Sequence, residues 1–288
     1  MKDFPIPVRT LGPGSQSEDE ELVYMAMPQG METFRPPVLP EPDELAAHAP
    51  AHAALRNALE QLVTVCREGG HRRTALVGLA PGDLDLVNQV LGEGEVSALV
   101  SHEGAPRSEL RVQESVFAGV WRVIESVDGV VTTDNIELGA IPDALKAVAR
   151  ADVAPEVPRW SGPLPPNVQN APALLAEIED HWRAWTLGRP AQIINLTLLP
   201  MSVEDIGFLD HHLGTGRVLI LSRGYGNCRI TNTRMPNCWR VVYYNSQDVV
   251  ILNTVEVGDL PEVAQAARED LEDSCERLTE VLQWIENA

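Results

Sequence analysis

Cys228 is the side chain in this sequence with the strongest claim to chemistry, because of what surrounds it. Residues 211–247 contain no Asp or Glu, although the 288-residue chain carries 42 of them, and they hold Arg217, Arg223, Arg229, Arg234 and Arg240. Guanidinium groups near a thiol favour the thiolate, which is both the nucleophile and the metal ligand. Gly224 and Gly226 permit positive φ and can aim amide donors and the thiol outward. The candidate functional loop is therefore Arg223, Gly224, Tyr225, Gly226, Asn227, Cys228 and Arg229. The competing reading is that the arginines alternate along solvent-facing strand positions and Cys228 fills a turn.

Cys238 lies ten residues further on, and a hairpin between the two would bring them together. That spacing is no recognised redox or zinc signature. His211 and His212 raise the nominal ligand count to four, but neighbours on a helix point about 100° apart. P-loop, GxSxG, HExxH and GxGxxG patterns are absent. Gly12-Pro13-Gly14-Ser15 sits where nothing would build an oxyanion hole, and Asp210-His211 reads as a solvated helix pair. The expectation is a non-enzyme with no catalytic, cofactor or metal residues. Cys66 and Cys275 fall on apolar helical stripes and read as structural thiols.

The elements that must position these residues are constrained by composition. With 22 Lys+Arg against 42 Asp+Glu the net charge is −20. Such a field repels nucleic acid and anionic lipid and suits a cationic segment on a partner protein. Four cysteines are too sparse for a disulfide scaffold, no stretch approaches the ~20 apolar residues of a membrane span, and the N-terminus lacks a signal-peptide core. A cytoplasmic, reduced protein is expected.

Residues 1–42 hold eight of the 22 prolines, an acidic run at 18–21, and Met25, Met27 and Met31 beside Tyr24 and Phe34. This is a proline-rich arm that docks on the body, contacts a partner or stays unfolded. In residues 43–72, Asp43 caps a short helix interrupted by Pro50, and a stronger helix at 51–68 aligns Leu55, Leu59, Leu62, Val63 and Cys66.

Beyond this the chain repeats itself. Leu91-Gly92-Glu93-Gly94 matches Leu213-Gly214-Thr215-Gly216, Trp121-Arg122-Val123 matches Trp239-Arg240-Val241, and Leu138-Gly139-Ala140-Ile141-Pro142 matches Val257-Gly258-Asp259-Leu260-Pro261. Order is kept throughout, which indicates duplication. Each copy reads as a strand (74–79; 193–199), a helix (83–91; 203–213), three or four β-branched strands, and a helix opened by Pro142 or Pro261.

The fold class is therefore α+β: two tandem pseudo-repeats (73–153 and 191–288), each a mainly antiparallel sheet with flanking helices. Between them lies 154–190, a linker over 154–172 with six prolines and then a helix at 173–187 that presents Leu174, Ile178, Trp182 and Trp185. The last helix is expected from 261 to about 285, its stripe of Ala264, Ala267, Leu271, Cys275, Leu278, Leu282 and Ile285 packing across both repeats or against a second copy in a homodimer.

Residues 221–230 (LSRGYGNCRI), 239–248 (WRVVYYNSQD) and 251–257 (ILNTVEV), with Leu11-Gly12-Pro13-Gly14-Ser15-Gln16 and Met31-Glu32-Thr33-Phe34 near the other end, carry a resemblance. The sequence resembles the HupH/HyaF-type hydrogenase expression/formation proteins. The resemblance implies an accessory protein for maturation of a [NiFe] uptake hydrogenase. It would act on the iron–sulfur small-subunit precursor before export, beside a thioredoxin-like accessory protein. It carries over no catalytic residue; Cys228 falls inside the motif, whereas Cys238 stands where relatives are expected to be apolar. An acidic chaperone would hold the precursor's twin-arginine signal electrostatically, with the Met-rich arm and the electropositive loop as contact surfaces. The alternative is a thiol-dependent iron–sulfur or redox assembly factor using Cys228.

Overall fold

The same order of elements occurs twice, and both runs join one sheet. The structure, a computed structural model, describes residues 48–102, 104–154, 160–224 and 226–287. Its first half runs α1 (Ala49–Glu68), β1 (Arg72–Ala75), α2 (Pro81–Leu91), β2 (Val96–His102), β3 (Ser108–Glu114), β4 (Val120–Val127), β5 (Val130–Leu138) and α3 (Asp143–Ala151). The second half runs α4 (Ala171–Ala184), β6 (Gln192–Asn195), α5 (Val203–Leu213), β7 (Val218–Ser222), β8 (Asn227–Asn232), β9 (Cys238–Tyr244), β10 (Val250–Val257) and α6 (Arg268–Asn287). One-turn 3-10 helices lie at Leu196–Leu198 and Glu262–Ala264.

The strands form a ten-stranded antiparallel sheet in the order β1-β5-β4-β3-β2-β7-β8-β9-β10-β6. The α+β, antiparallel expectation holds. Each four-strand meander leaves an unpaired edge at β2 or β7, and pairing these two edges with each other satisfies both rows of backbone groups. The proline-rich arm and the cap and start of the short helix expected from Asp43 lie outside the described residues; Pro50 sits in the first turn of α1.

The repeated LGxG segments do the same work in each half. Gly92 and Gly214, at φ +58° and +64°, close α2 and α5. Gly94 then donates its N–H to the Glu114 carbonyl at 2.7 Å, and Gly216 donates to the Asn232 carbonyl at 2.8 Å. A Cβ on Gly94 would lie 2.2 Å from the Ser115 carbonyl oxygen, and one on Gly216 2.0 Å from the Asn232 side chain, so both second glycines are demanded by close approach. The matching tryptophans, both buried, donate Nε1–H to the carbonyls of Gly139 (2.9 Å) and Asp259 (3.1 Å).

Three apolar cores follow from these pairings. On one face of the sheet, Val96, Ala98, Val218, Ile220, Trp121 and Trp239 pack with Leu145 of α3 and with Leu260 and Ala264. On the other face, α1, α2 and α6 cover Val120, Ile136 and Leu138 at one end. There α4 and α5 cover Ile194, Val255 and Val257 at the opposite end.

The C-terminal region differs from expectation. The helix does not run on from Pro261: a single turn ends at Ala264, Gln265 is extended (φ −111°, ψ 136°), and α6 starts at Arg268. Ala264 belongs to the tryptophan core, whereas Leu271, Leu278, Leu282 and Ile285 pack on α1 of the first half. The stripe is thus divided, with Ala264 on the core that both halves share and Leu271, Leu278, Leu282 and Ile285 on the first half. Smaller differences are a β1 that ends at Ala75 and a β6 that ends at Asn195, where Asn195 Oδ1 accepts the Thr197 N–H at 3.0 Å and starts a turn.

Candidate functional site

The candidate loop is split by the strand pattern. Arg223 and Gly224 leave β7, Gly226 enters β8 at φ +99°, and Asn227, Cys228 and Arg229 lie on β8. Tyr225 lies outside the described residues. Gly224 has no positive φ, and a Cβ there would meet only the far end of the Glu95 side chain, which can move aside.

Alternation along β8 sends Cys228 and Arg229 to opposite faces. Cys228 sits in the tryptophan core at 3% exposure. Burial pushes its thiol up to about 12, against a Tyr243 hydrogen bond that lowers it. The thiolate expectation therefore fails: burial dominates, and Arg229, the next residue, is on the other side of the sheet. Cys238 points to that other face, packed with Val257, and burial pushes its thiol up to about 12 as well. The sheet separates the two thiols, so the pairing imagined across a hairpin does not form. His212 is buried, its Nδ1 2.8 Å from the Phe208 carbonyl oxygen, with its pKa lowered by burial first. The four nominal metal ligands are not gathered, and among the described residues no group of three or more His, Cys, Asp or Glu could hold a metal ion.

What the structure does assemble is a strip of sheet between the two helical layers that none of the three apolar cores of the described residues includes. One row across the strands reads Ile124, Arg111, Leu99, Leu219, Thr231, Arg240; the next reads Arg122, Gln113, Ser97, Leu221, Arg229, Val242. Leu99, Leu219, Leu221, Ile124 and Val242 are all partly exposed and belong to none of the three cores. This saddle of leucines is framed by four arginines, two from each half.

The four are neutralised unequally. Arg122 is bound on Asp134 (Nη2 to Oδ2 2.8 Å) and Asn88 (3.1 Å), and burial lowers its pKa to about 10. Arg111 pairs with Glu109. Arg240 reaches Asp210 at 3.5 Å, its pKa is lowered by burial, and its Nη1 is buried with no hydrogen-bond partner among the described residues. Arg229 has no acidic partner among the described residues. Of the other arginines in the acid-free stretch, Arg217 is held by Asp152 at 2.6 Å.

Sequence reasoning found Arg229 and named Arg240, but missed Arg111 and Arg122 as their counterparts. The Trp-Arg-Val match already contained Arg122; Arg111 needs the strand register. Helix α6 carries an exposed acidic face with Glu269, Asp270, Glu272, Asp273, Glu276 and Glu280. Among the described residues no helix is long and apolar enough to cross a membrane.

Comparison with known proteins agrees with the resemblance noted in the sequence. The family model described as HupH hydrogenase expression protein, C-terminal conserved region, matches residues 50–160 and 168–285, one segment in each half. The chain is 53% identical over 288 residues to the hydrogenase expression/formation protein HoxQ of Cupriavidus necator, covering 99% of each. It is 47% identical over 287 residues to HupH of Rhodobacter capsulatus, again covering 99% of each. It is 32% identical over 283 residues to the hydrogenase-1 operon protein HyaF of Escherichia coli, covering 96% of each. Among solved structures, the hydrogenase expression protein HupH from Thiobacillus denitrificans is 29% identical with a TM-score of 0.37, covering 41% of this chain and 96% of that one. The chain belongs to the HupH family of hydrogenase expression proteins.

Proposed function

We propose that this protein is an accessory chaperone in the maturation of a [NiFe] uptake hydrogenase, one that binds the iron–sulfur small-subunit precursor in the cytoplasm before export. The observation that carries the reading is the saddle. Leu99, Leu219 and Leu221 stand partly exposed on one sheet face, framed by Arg111, Arg122, Arg229 and Arg240. Partly exposed leucines ringed by arginines suit a polypeptide segment that brings apolar side chains flanked by carboxylates. A cationic export signal does not suit this floor; the acidic exterior, with α6, supplies its long-range attraction instead. A thioredoxin-like accessory protein would act alongside. The Cys228-based alternative finds no support in a thiol that is 3% exposed with its pKa pushed up.

The test is a titration of the full chain against the purified small-subunit precursor, comparing wild type, Leu221→Asp and Cys228→Ser. Saturable binding that Leu221→Asp weakens by at least tenfold and Cys228→Ser leaves unchanged supports the reading. An absence of binding by the wild type, or equal binding by Leu221→Asp, overturns it.

A further inference from the structure

Cys66 on α1 and Cys275 on α6 are 209 positions apart in sequence, yet their Sγ atoms are 3.1 Å apart. Cys66 Sγ also lies 3.5 Å from the Leu271 carbonyl oxygen. Both thiols are partly exposed, whereas Cys228 and Cys238 are buried. The helical period that marks them as core residues brings them to the rim of the α1–α6 contact instead, beside the buried Leu62, Leu271 and Leu278. A sulfur–sulfur bond is about 2 Å long, so closing this pair asks for roughly 1 Å of side-chain movement between helices that are already packed. The Cys275 thiol is pushed up to about 12 by burial first, and then by its hydrogen bond with Cys66.

We propose that Cys66 and Cys275 form a reversible disulfide site, oxidised by exchange with a disulfide RSSR, that clasps the C-terminal helix to the first helix. The thiolate of one cysteine attacks a sulfur of RSSR and expels RS⁻, leaving a mixed disulfide. The sulfur of the second cysteine then attacks the cysteine sulfur of that mixed bond, forming Cys66–Cys275 and expelling the second RS⁻. The two protons lost by the cysteines are recovered on the two thiolates. RSSR is thus reduced by two electrons to 2 RSH. This inference is independent of the saddle and its partner.

The probe is glutathione disulfide on the full chain at graded ratios to glutathione, followed by denaturing maleimide labelling and peptide mapping. Two of the four cysteines should become protected at the oxidising end, with a cross-linked Cys66–Cys275 peptide that dithiothreitol reverses. Cys66→Ser and Cys275→Ser should each leave the three remaining thiols open to label. Mapping in the wild-type chain needs no variant to fold. Four labelled thiols at the oxidising end, a bond between other cysteines, or a bond only between chains would overturn the proposal. Trypsin supplies a second readout: cleavage at Arg268 and Arg277 should be at least fivefold slower in the oxidised protein, and equal rates would remove the clasp.

Discussion

Ala98 faces Ile220 directly across the β2–β7 junction, and the two are equivalent positions of the two halves. A pseudo-twofold axis therefore passes through this pair, and Leu99 and Leu221, Arg111 and Arg229, and Arg122 and Arg240 are related by it. The symmetry is one of position and not of charge. Both first-half arginines have acidic partners, whereas Arg229 has none among the described residues. Among the described residues the acidic partners thus fall unequally on a nearly symmetric floor, Glu109 and Asp134 in the first half against Asp210 alone in the second.

Arg229→Ala should weaken precursor binding and flatten its salt dependence, while leaving stability within about 0.5 kcal/mol. Arg111→Ala, which removes a cation already paired with Glu109, should do less. Titrations at two salt concentrations check the order; equal effects of the two variants would remove the asymmetry.

Cys228→Ser places a hydroxyl in the tryptophan core and should cost about 1–3 kcal/mol in urea unfolding. Cys228→Ala, which leaves a small cavity beside Tyr243, should cost a similar amount. Neither should change partner binding, since the thiol faces away from the saddle.

Glu114 provides a pH test. It is 7% exposed, accepts the Gly119 N–H at 3.2 Å, and burial first raises its pKa from 4.5 to about 7. A carboxyl raised in the folded state contributes stability that is full below its unfolded pKa and is lost as pH rises towards the folded value. Glu114→Gln keeps an acceptor and removes the titration. The variant should match wild type near pH 4 and exceed it by about 2–3 kcal/mol above pH 8. Denaturant midpoints across that range decide; a constant difference would show that Glu114 does not titrate there.

Ending the chain after Gln265 should unfold the first half and leave more than a change of oligomeric state. It removes Leu271, Leu278, Leu282 and Ile285 from the core over α1, each worth about 1.5–3 kcal/mol of burial. Near-UV circular dichroism and hydrogen exchange of α1 report the loss.

The duplication was legible because both LGxG segments meet the same two steric demands, a positive φ and a close contact with no room for Cβ. Helix α5 was legible to the residue, since Ser202 and Asp205 form a reciprocal cap at its start. The break before α6 was not. Ala264 and Ala267 continue the three–four apolar spacing, and Pro261 opens a single 3-10 turn as readily as a helix. The error over Cys228 has a different origin. Closeness in sequence placed the thiol among guanidinium groups, but neighbours on a strand face opposite ways, and only the register shows Arg229 beside Leu221 with Cys228 beneath. Arg111 stayed hidden for the same reason.

Because α6 closes the core built on α1, this protein cannot finish its first half as it is made. Some 120 residues separate the end of α3 from Leu271, which at the usual pace of synthesis is on the order of 10 s. Throughout that interval Leu55, Leu62 and Ile136 lack the helix that covers them. Folding of the first half is therefore completed only after α6 has been made, and a nascent chain stalled in the second half leaves an apolar surface open to other chaperones.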